Sequence, residues 1–192
     1  RRMVDLAGPA AGKTFHTFFV DSWEAGGQNW TARMPEEFRQ RRGYDITPFL
    51  PVLTGRVIAD LRTSERFLFD LRLTVSELVT ENFWAELRRL CHARGMRLAV
   101  QPYITTGNDL DAANHCDEPT GEIWSHPFQP NDYSITVKAA SSVANLNGHR
   151  IVGAEAFTAS EEERWLAHPA TLKAQGDRMF CLGANRFQIH RF

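Results

Sequence analysis

Strand and helix signals alternate along this sequence, and that alternation predicts an α/β architecture, specifically part of a (β/α)8 barrel with a parallel sheet and outer helices. Three observations carry the prediction. Apolar runs of strand length recur, helical stretches with stop signals separate them, and acidic residues stand where two of the runs end.

Four runs are the expected strands: Thr14 to Val20, Arg97 to Gln101, Ile151 to Ala156, and Met179 to His190 with an interruption at Gly183. Each is rich in Phe, Val, Ile or Leu and too short for an isolated helix. Their nearly continuous apolar character suits strands covered on both faces, as in parallel sheets. Between them, Thr74 and Glu77 have capping-box spacing, and Val75, Leu78, Val79, Phe83, Leu87, Leu90 and Cys91 recur at helical spacing. Gly95 closes that helix behind His92 and Arg94, whose positive charge suits its C-terminal end. A second helix is expected over Ser134 to Leu146, stopped by Gly148, and a third near Pro169 to Gly176. Four strands are too few to close an eight-stranded barrel. The expectation is one partial barrel domain over residues 1–192, cut at both ends.

Composition narrows the function classes. The 22 basic and 23 acidic residues nearly cancel, whereas phosphate binding wants a basic surplus, so nucleic acid is not an expected partner. No stretch approaches the ~18 to 20 consecutive apolar residues of a membrane span. Cys91, Cys116 and Cys181 are odd in number and irregularly spaced, which fits buried free thiols better than disulfides or zinc. Ala7 to Thr14 satisfies a relaxed phosphate-loop pattern, but such a loop needs a strand before it and a helix after it. Here a strand-like run follows instead, so nucleotide binding is not expected.

The informative residues are the carboxylates. Phe18-Phe19-Val20 runs into Asp21-Ser22-Trp23-Glu24, and Val152-Gly153-Ala154 runs into Glu155-Ala156-Phe157-Thr158. Catalytic groups of a barrel project from the C-terminal strand ends, because the following loops build the site there. Two carboxylates facing one cleft can divide into proton donor and acceptor, as glycoside hydrolysis requires. A salt bridge or a loop contact is the structural alternative for either one. Trp30 and Trp124, read as loop residues, offer indole faces to a sugar or to the core. Glu122 is a third loop carboxylate. Asp109, Asp111 and Asp117 add hard oxygens, although their spacing matches no calcium loop. Asn185 and His190 end the last expected strand and would reach the same mouth, with a structural role the alternative for His190.

The ordered set of motifs resembles glycoside hydrolase family 106, the inverting α-L-rhamnosidases. It runs through Phe-Val-Asp-Ser-Trp-Glu at 19–24, Trp30-Thr31, Arg42-Gly43-Tyr44-Asp45, Arg66 to Asp70, Gly121-Glu122-Ile123-Trp124, Ala154-Glu155-Ala156-Phe157-Thr158 and Gly183-Ala184-Asn185-Arg186. The resemblance implies a catalytic barrel within a larger, secreted or periplasmic multidomain enzyme that acts on rhamnose-containing glycans or glycosides and depends on calcium. It makes Glu24 the general acid and Glu155 the general base, and it puts Glu122 near the calcium, as a ligand, or near the rhamnose hydroxyls; Asp21, Trp30, Trp124, Asn185 and His190 are the expected sugar-binding residues. One departure is Gln101, where an acidic residue is expected. A related barrel hydrolase acting on another sugar, or a non-catalytic carbohydrate-binding barrel, are the competing readings.

Overall fold

The computed structural model describes residues 2–27, 29–103, 107–125, 133–159 and 164–190. Five strands, β1 (Thr17–Val20), β2 (Arg97–Val100), β3 (Glu118–Trp124), β4 (Gly153–Thr158) and β5 (Arg186–Ile189), form one sheet in the order β1-β2-β3-β4-β5. Every neighbouring pair is parallel. Around it lie α1 (Arg2–Ala7), α2 (Met34–Arg42), α3 (Leu61–Val79), α4 (Glu86–His92), α5 (Asp109–Asn114), α6 (Ser134–Asn147) and α7 (Pro169–Leu182). Sequential parallel strands with helices in the connections make a curled half-barrel, so the predicted fold class holds.

The structure corrects the predicted elements in three places. The fourth run divides: Met179 to Leu182 complete α7, Gly183 takes the left-handed C-cap at φ 107°, and only Arg186–Ile189 is strand. Met179, wholly buried, faces the sheet from the helix. Thr74 does not cap a helix. It lies inside α3, whose N-cap is Asp60, accepting the Thr63 N–H at 2.7 Å. Thr74 Oγ1 instead donates to the Asp70 carbonyl and accepts from Arg42 Nε, which ties α3 to α2. Finally, β3 was not expected as a strand. Cys181 also departs from the buried-thiol reading, because it is exposed while Cys91 and Cys116 are buried.

Strand parity decides what each face does. Leu98, Val100, Ile123, Ala154 and Ala156 point outward into apolar clusters under the helices. Burying one such Val- or Leu-sized side chain contributes about 1.5 to 3 kcal/mol. Gly121 lets α6 come close, since a Cβ there would stand 2.4 Å from Val137 N. The connection from β1 to β2 is much longer than the others. It carries α2, a 3-10 segment (Thr47–Thr54) and α3, which bury Phe38, Ile46 and Phe67 in a core of their own. A π-helical turn (Thr80–Ala85) then joins α3 to α4. It sends Trp84 into the core and sets Phe83 edge-on to Trp23 at 5.3 Å. None of the described helices is long and apolar enough to cross a membrane.

Candidate active site

The alternate side chains face the inside of the half-barrel, and their character changes along the strands. Near the N-terminal end, buried Glu118 on β3 is bracketed by Arg97 of β2 at 2.9 Å and by Arg186 of β5. Toward the C-terminal end the inner face carries Gln101, Glu122 and Glu155. Glu122 pairs in register with Glu155, and Glu155 with Gln188. Neighbouring strands stand about 4.8 Å apart, so register alone brings the two carboxylates together. Both are 8% exposed. Buried carboxylates need hydrogen bonds, and each has them.

Glu155 Oε2 accepts from Gln101 Nε2 at 2.8 Å, and Oε1 accepts from Thr158 Oγ1 at 2.6 Å. His190 Nδ1, just past β5, stands 3.4 Å from Oε1. Gln101 Oε1 in turn accepts from the Tyr103 hydroxyl at 2.7 Å. The amide orientation follows from chemistry, because an ionised carboxylate can only accept, leaving Gln101 Oε1 for the phenol. Burial and the neighbouring Glu122 carboxylate push the Tyr103 phenol far above its ordinary range, so it stays protonated. Glu122 receives the Trp124 indole N–H, while its backbone N–H goes to Thr136 Oγ1 at 2.9 Å. Burial raises the Glu122 carboxyl, reinforced by the charges of Glu155 and Asp21 and opposed by hydrogen bonds from Tyr103 and Trp124.

The other predicted residues separate. Glu24 follows β1 on an exposed segment, where Ser22 Oγ donates to it at 3.0 Å. Glu24 is thus exposed, whereas Glu122 and Glu155 are buried. Asp21, at the end of β1, accepts the Ser22 N–H and is close enough for its charge to act on Glu122 and Tyr103. Trp30 is 48% exposed and lines a cavity of about 330 Å³ with Asn29, Arg33, Glu37, Asn82 and Phe83. Glu122 and Trp124 belong to β3 rather than to a loop. Asn185 is a correction. It precedes β5, donating to the Arg150 carbonyl and accepting the Val152 N–H. It therefore ties the N-terminal ends of β4 and β5 together, at the opposite end of the sheet from the carboxylates. Asp117 is structural too: it accepts the Leu98 N–H at 2.8 Å and meets Arg88 and His92.

Sequence reasoning missed Tyr103 and Thr158 and met Gln101 only as a departure. Tyr103 stands two residues beyond Gln101, which strand parity could have placed beside it. Thr158 stands three beyond Glu155, and parity would have sent it to the opposite face. As for metal, the described residues hold no group of three or more His, Cys, Asp or Glu that could bind an ion. The Glu122 carboxylate already receives the Trp124 indole N–H.

A parallel half-barrel with buried carboxylates on the inner face at the C-terminal strand ends has the layout of a barrel hydrolase site. The model of glycoside hydrolase family 106, alpha-L-rhamnosidase, matches residues 2–192. The chain belongs to that family. A solved rhamnosidase from Novosphingobium sp. PP1Y superposes with a TM-score of 0.84 at 34% identity, over 98% of this chain and 19% of its own. A Formosa agariphila protein with a provisional beta-glucuronidase name is 38% identical over 99% of this chain and 16% of its own length. The chain thus spans less than a fifth of either relative.

Proposed function

We propose that the full-length protein hydrolyses terminal α-L-rhamnosides with inversion, Glu24 acting as general acid and Glu155 as general base. The observation that carries the reading is the setting of Glu155, which is buried on the inner face of β4 with both oxygens fixed by uncharged donors. A water held by Glu155 attacks the anomeric carbon and gives its proton to the carboxylate. The glycosidic C–O bond breaks on the opposite side, and the departing oxygen takes the proton of Glu24. Asp21, Trp124 and His190 surround the sugar. Trp30 and its cavity take the leaving group, because Glu24 lies on the same loop and Trp23 packs on Phe83 of the cavity wall. Amphipathic sugars suit a pocket with an exposed indole above and apolar residues below.

The test uses full-length enzyme and a series of aryl rhamnosides. Proton NMR should show the β-anomer of rhamnose forming first. Glu155→Gln should lower turnover at least ~10²-fold on every substrate, since general base catalysis contributes about 10² to 10⁴. Glu24→Gln should hurt poor leaving groups most. Near-wild-type turnover by Glu155→Gln refutes the assignment. Glu122 is the rival donor, because burial holds its carboxyl up, and Glu122→Gln in the same series separates it from Glu24.

Calcium dependence is proposed from the family resemblance alone, with Glu122 as a ligand, and no proton step runs through it. The name of the Formosa agariphila relative favours a second substrate reading, a glucuronide. Assaying aryl β-glucuronides beside aryl α-rhamnosides decides between them.

A further inference from the structure

In a regular strand, residues two apart share a face and residues three apart do not. Glu155 and Thr158 are three apart, yet the Thr158 hydroxyl lies 2.6 Å from Glu155 Oε1. The backbone between them explains this. Phe157 has φ 61°, the one left-handed residue within a strand among the described residues. The ladder slips at the same point, because Glu122 pairs with Glu155 but Trp124 pairs with Thr158, two residues of β3 against three of β4. This is a bulge that inserts one residue into β4. Ala156 and Phe157 then both face outward, Phe157 packing edge-on against Phe187 at 5.7 Å, and Thr158 turns inward beside Glu155. A left-handed conformation is uncommon for a bulky aromatic and persists only where its surroundings impose it.

A carboxylate oxygen has two lone pairs in the carboxylate plane. On Oε1, one accepts from Thr158 and the other faces His190 Nδ1 at 3.4 Å. On Oε2, Gln101 alone is seated among the described residues, at 2.8 Å. We propose that the bulge at Phe157 makes Thr158, together with Gln101, a positioning residue that selects the working oxygen of Glu155: Oε1 is occupied, and Oε2 takes the proton of the attacking water. The proposal rests on Glu155 being the base. Gln101 fits the same logic. A carboxylate there would set a third negative charge against the Glu122–Glu155 pair, whereas the amide donates to Oε2 and receives Tyr103 behind it. Thr158 bears on the reaction only through Glu155 and is not itself a catalytic residue.

The test measures kcat and KM in full-length enzyme with an activated aryl α-L-rhamnoside. Thr158→Val keeps the shape and removes the hydroxyl. With Oε1 released, kcat should fall about 10-fold at unchanged KM. Thr158→Ser, which restores the hydroxyl, should recover kcat. Gln101→Leu reads the other oxygen and should also lower kcat at unchanged KM, which keeps the proposal falsifiable if the valine variant does not fold. A folded Thr158→Val or Gln101→Leu with the wild-type kcat overturns the positioning role, provided Glu155→Gln is inactive. If Glu155→Gln is active, it is the base assignment that has failed.

Discussion

Two glycine-to-alanine changes on the same helical layer should act with opposite signs. At Gly121 of β3 an added Cβ would meet Val137 N at 2.4 Å and Val137 Cα at 2.5 Å, both backbone atoms of α6. Ordinary contact is about 3.5 to 4.0 Å, so α6 must move away by roughly an ångström, because no flexible side chain can yield instead. Overpacking of this kind costs about 1 to 3 kcal/mol, and the upper end is expected against backbone. The same movement pulls Thr136 from the Glu122 N–H, which it meets at 2.9 Å, so activity should fall with stability. At Gly176 in α7, the Cβ would stand 3.5 Å from the Phe157 ring, an ordinary contact. There alanine removes the penalty of a helical glycine and should stabilise by about 0.5 to 1 kcal/mol. Hydrogen exchange in full-length enzyme reads both locally, as faster exchange over Ser134–Asn147 in Gly121→Ala and slower exchange over Pro169–Leu182 in Gly176→Ala. Unchanged protection of α6 in Gly121→Ala would refute the close-packing argument.

Asp117 provides a pH test. Burial works against its charge but is outweighed by the Leu98 N–H, His92 and Arg88, so its carboxyl is held below the ordinary range. A carboxylate whose folded pKa is depressed contributes stability above its unfolded pKa, near 3.9, and loses it as pH falls through the folded value. Asp117→Asn should therefore cost about 1 to 2 kcal/mol at pH 7, allowing for the half-exposed His92 partner, with a difference in urea midpoint that narrows toward pH 3. A difference independent of pH would contradict the ionic account. Trp30→Ala should raise KM for a rhamnosyl disaccharide several-fold and leave a small activated aryl rhamnoside unchanged; equal losses on both would remove Trp30 from the leaving-group side. Chelation followed by calcium readdition should abolish and restore activity of the full-length enzyme, and full activity after exhaustive chelation would end the calcium proposal.

How far the sequence disclosed this molecule varies strand by strand, for a physical reason. β2 and β4 were legible because Leu98 and Val100, or Val152, Ala154 and Ala156, fill an apolar outer layer. The strand missed was β3, Glu-Pro-Thr-Gly-Glu-Ile-Trp, which reads as turn chemistry. Each unfavourable letter has a tertiary cause. Glu118 stands between Arg97 and Arg186, Gly121 admits α6, and Glu122 belongs to the carboxylate pair. Propensity describes a strand with one ordinary face, whereas in β3 the inner face is the site and part of the outer face is a helix contact. The run from Met179 failed in the opposite direction. Met, Phe, Cys and Leu form an apolar run whose period cannot be resolved over four residues, and only the cap at Gly183 shows that a helix ends there.

The same reasoning explains why Glu155 was found while its environment was not. A carboxylate at the end of an apolar run is conspicuous in one dimension. The groups that hold it come from β2, from a bulge within β4 and from beyond β5, and no spacing links Gln101, Thr158 and His190. Parity would have excluded Thr158, and that failure is informative, because a strand breaks its own alternation only where something compensates for the left-handed residue. Here the outward-facing Phe157 packs on Phe187 and against Gly176, so α7 and β5 hold the bulge from outside while Thr158 reaches Glu155 inside. Support of the site therefore extends through the sheet to the helical layer, and changes at Phe187 or Gly176 should register at the carboxylate without touching it.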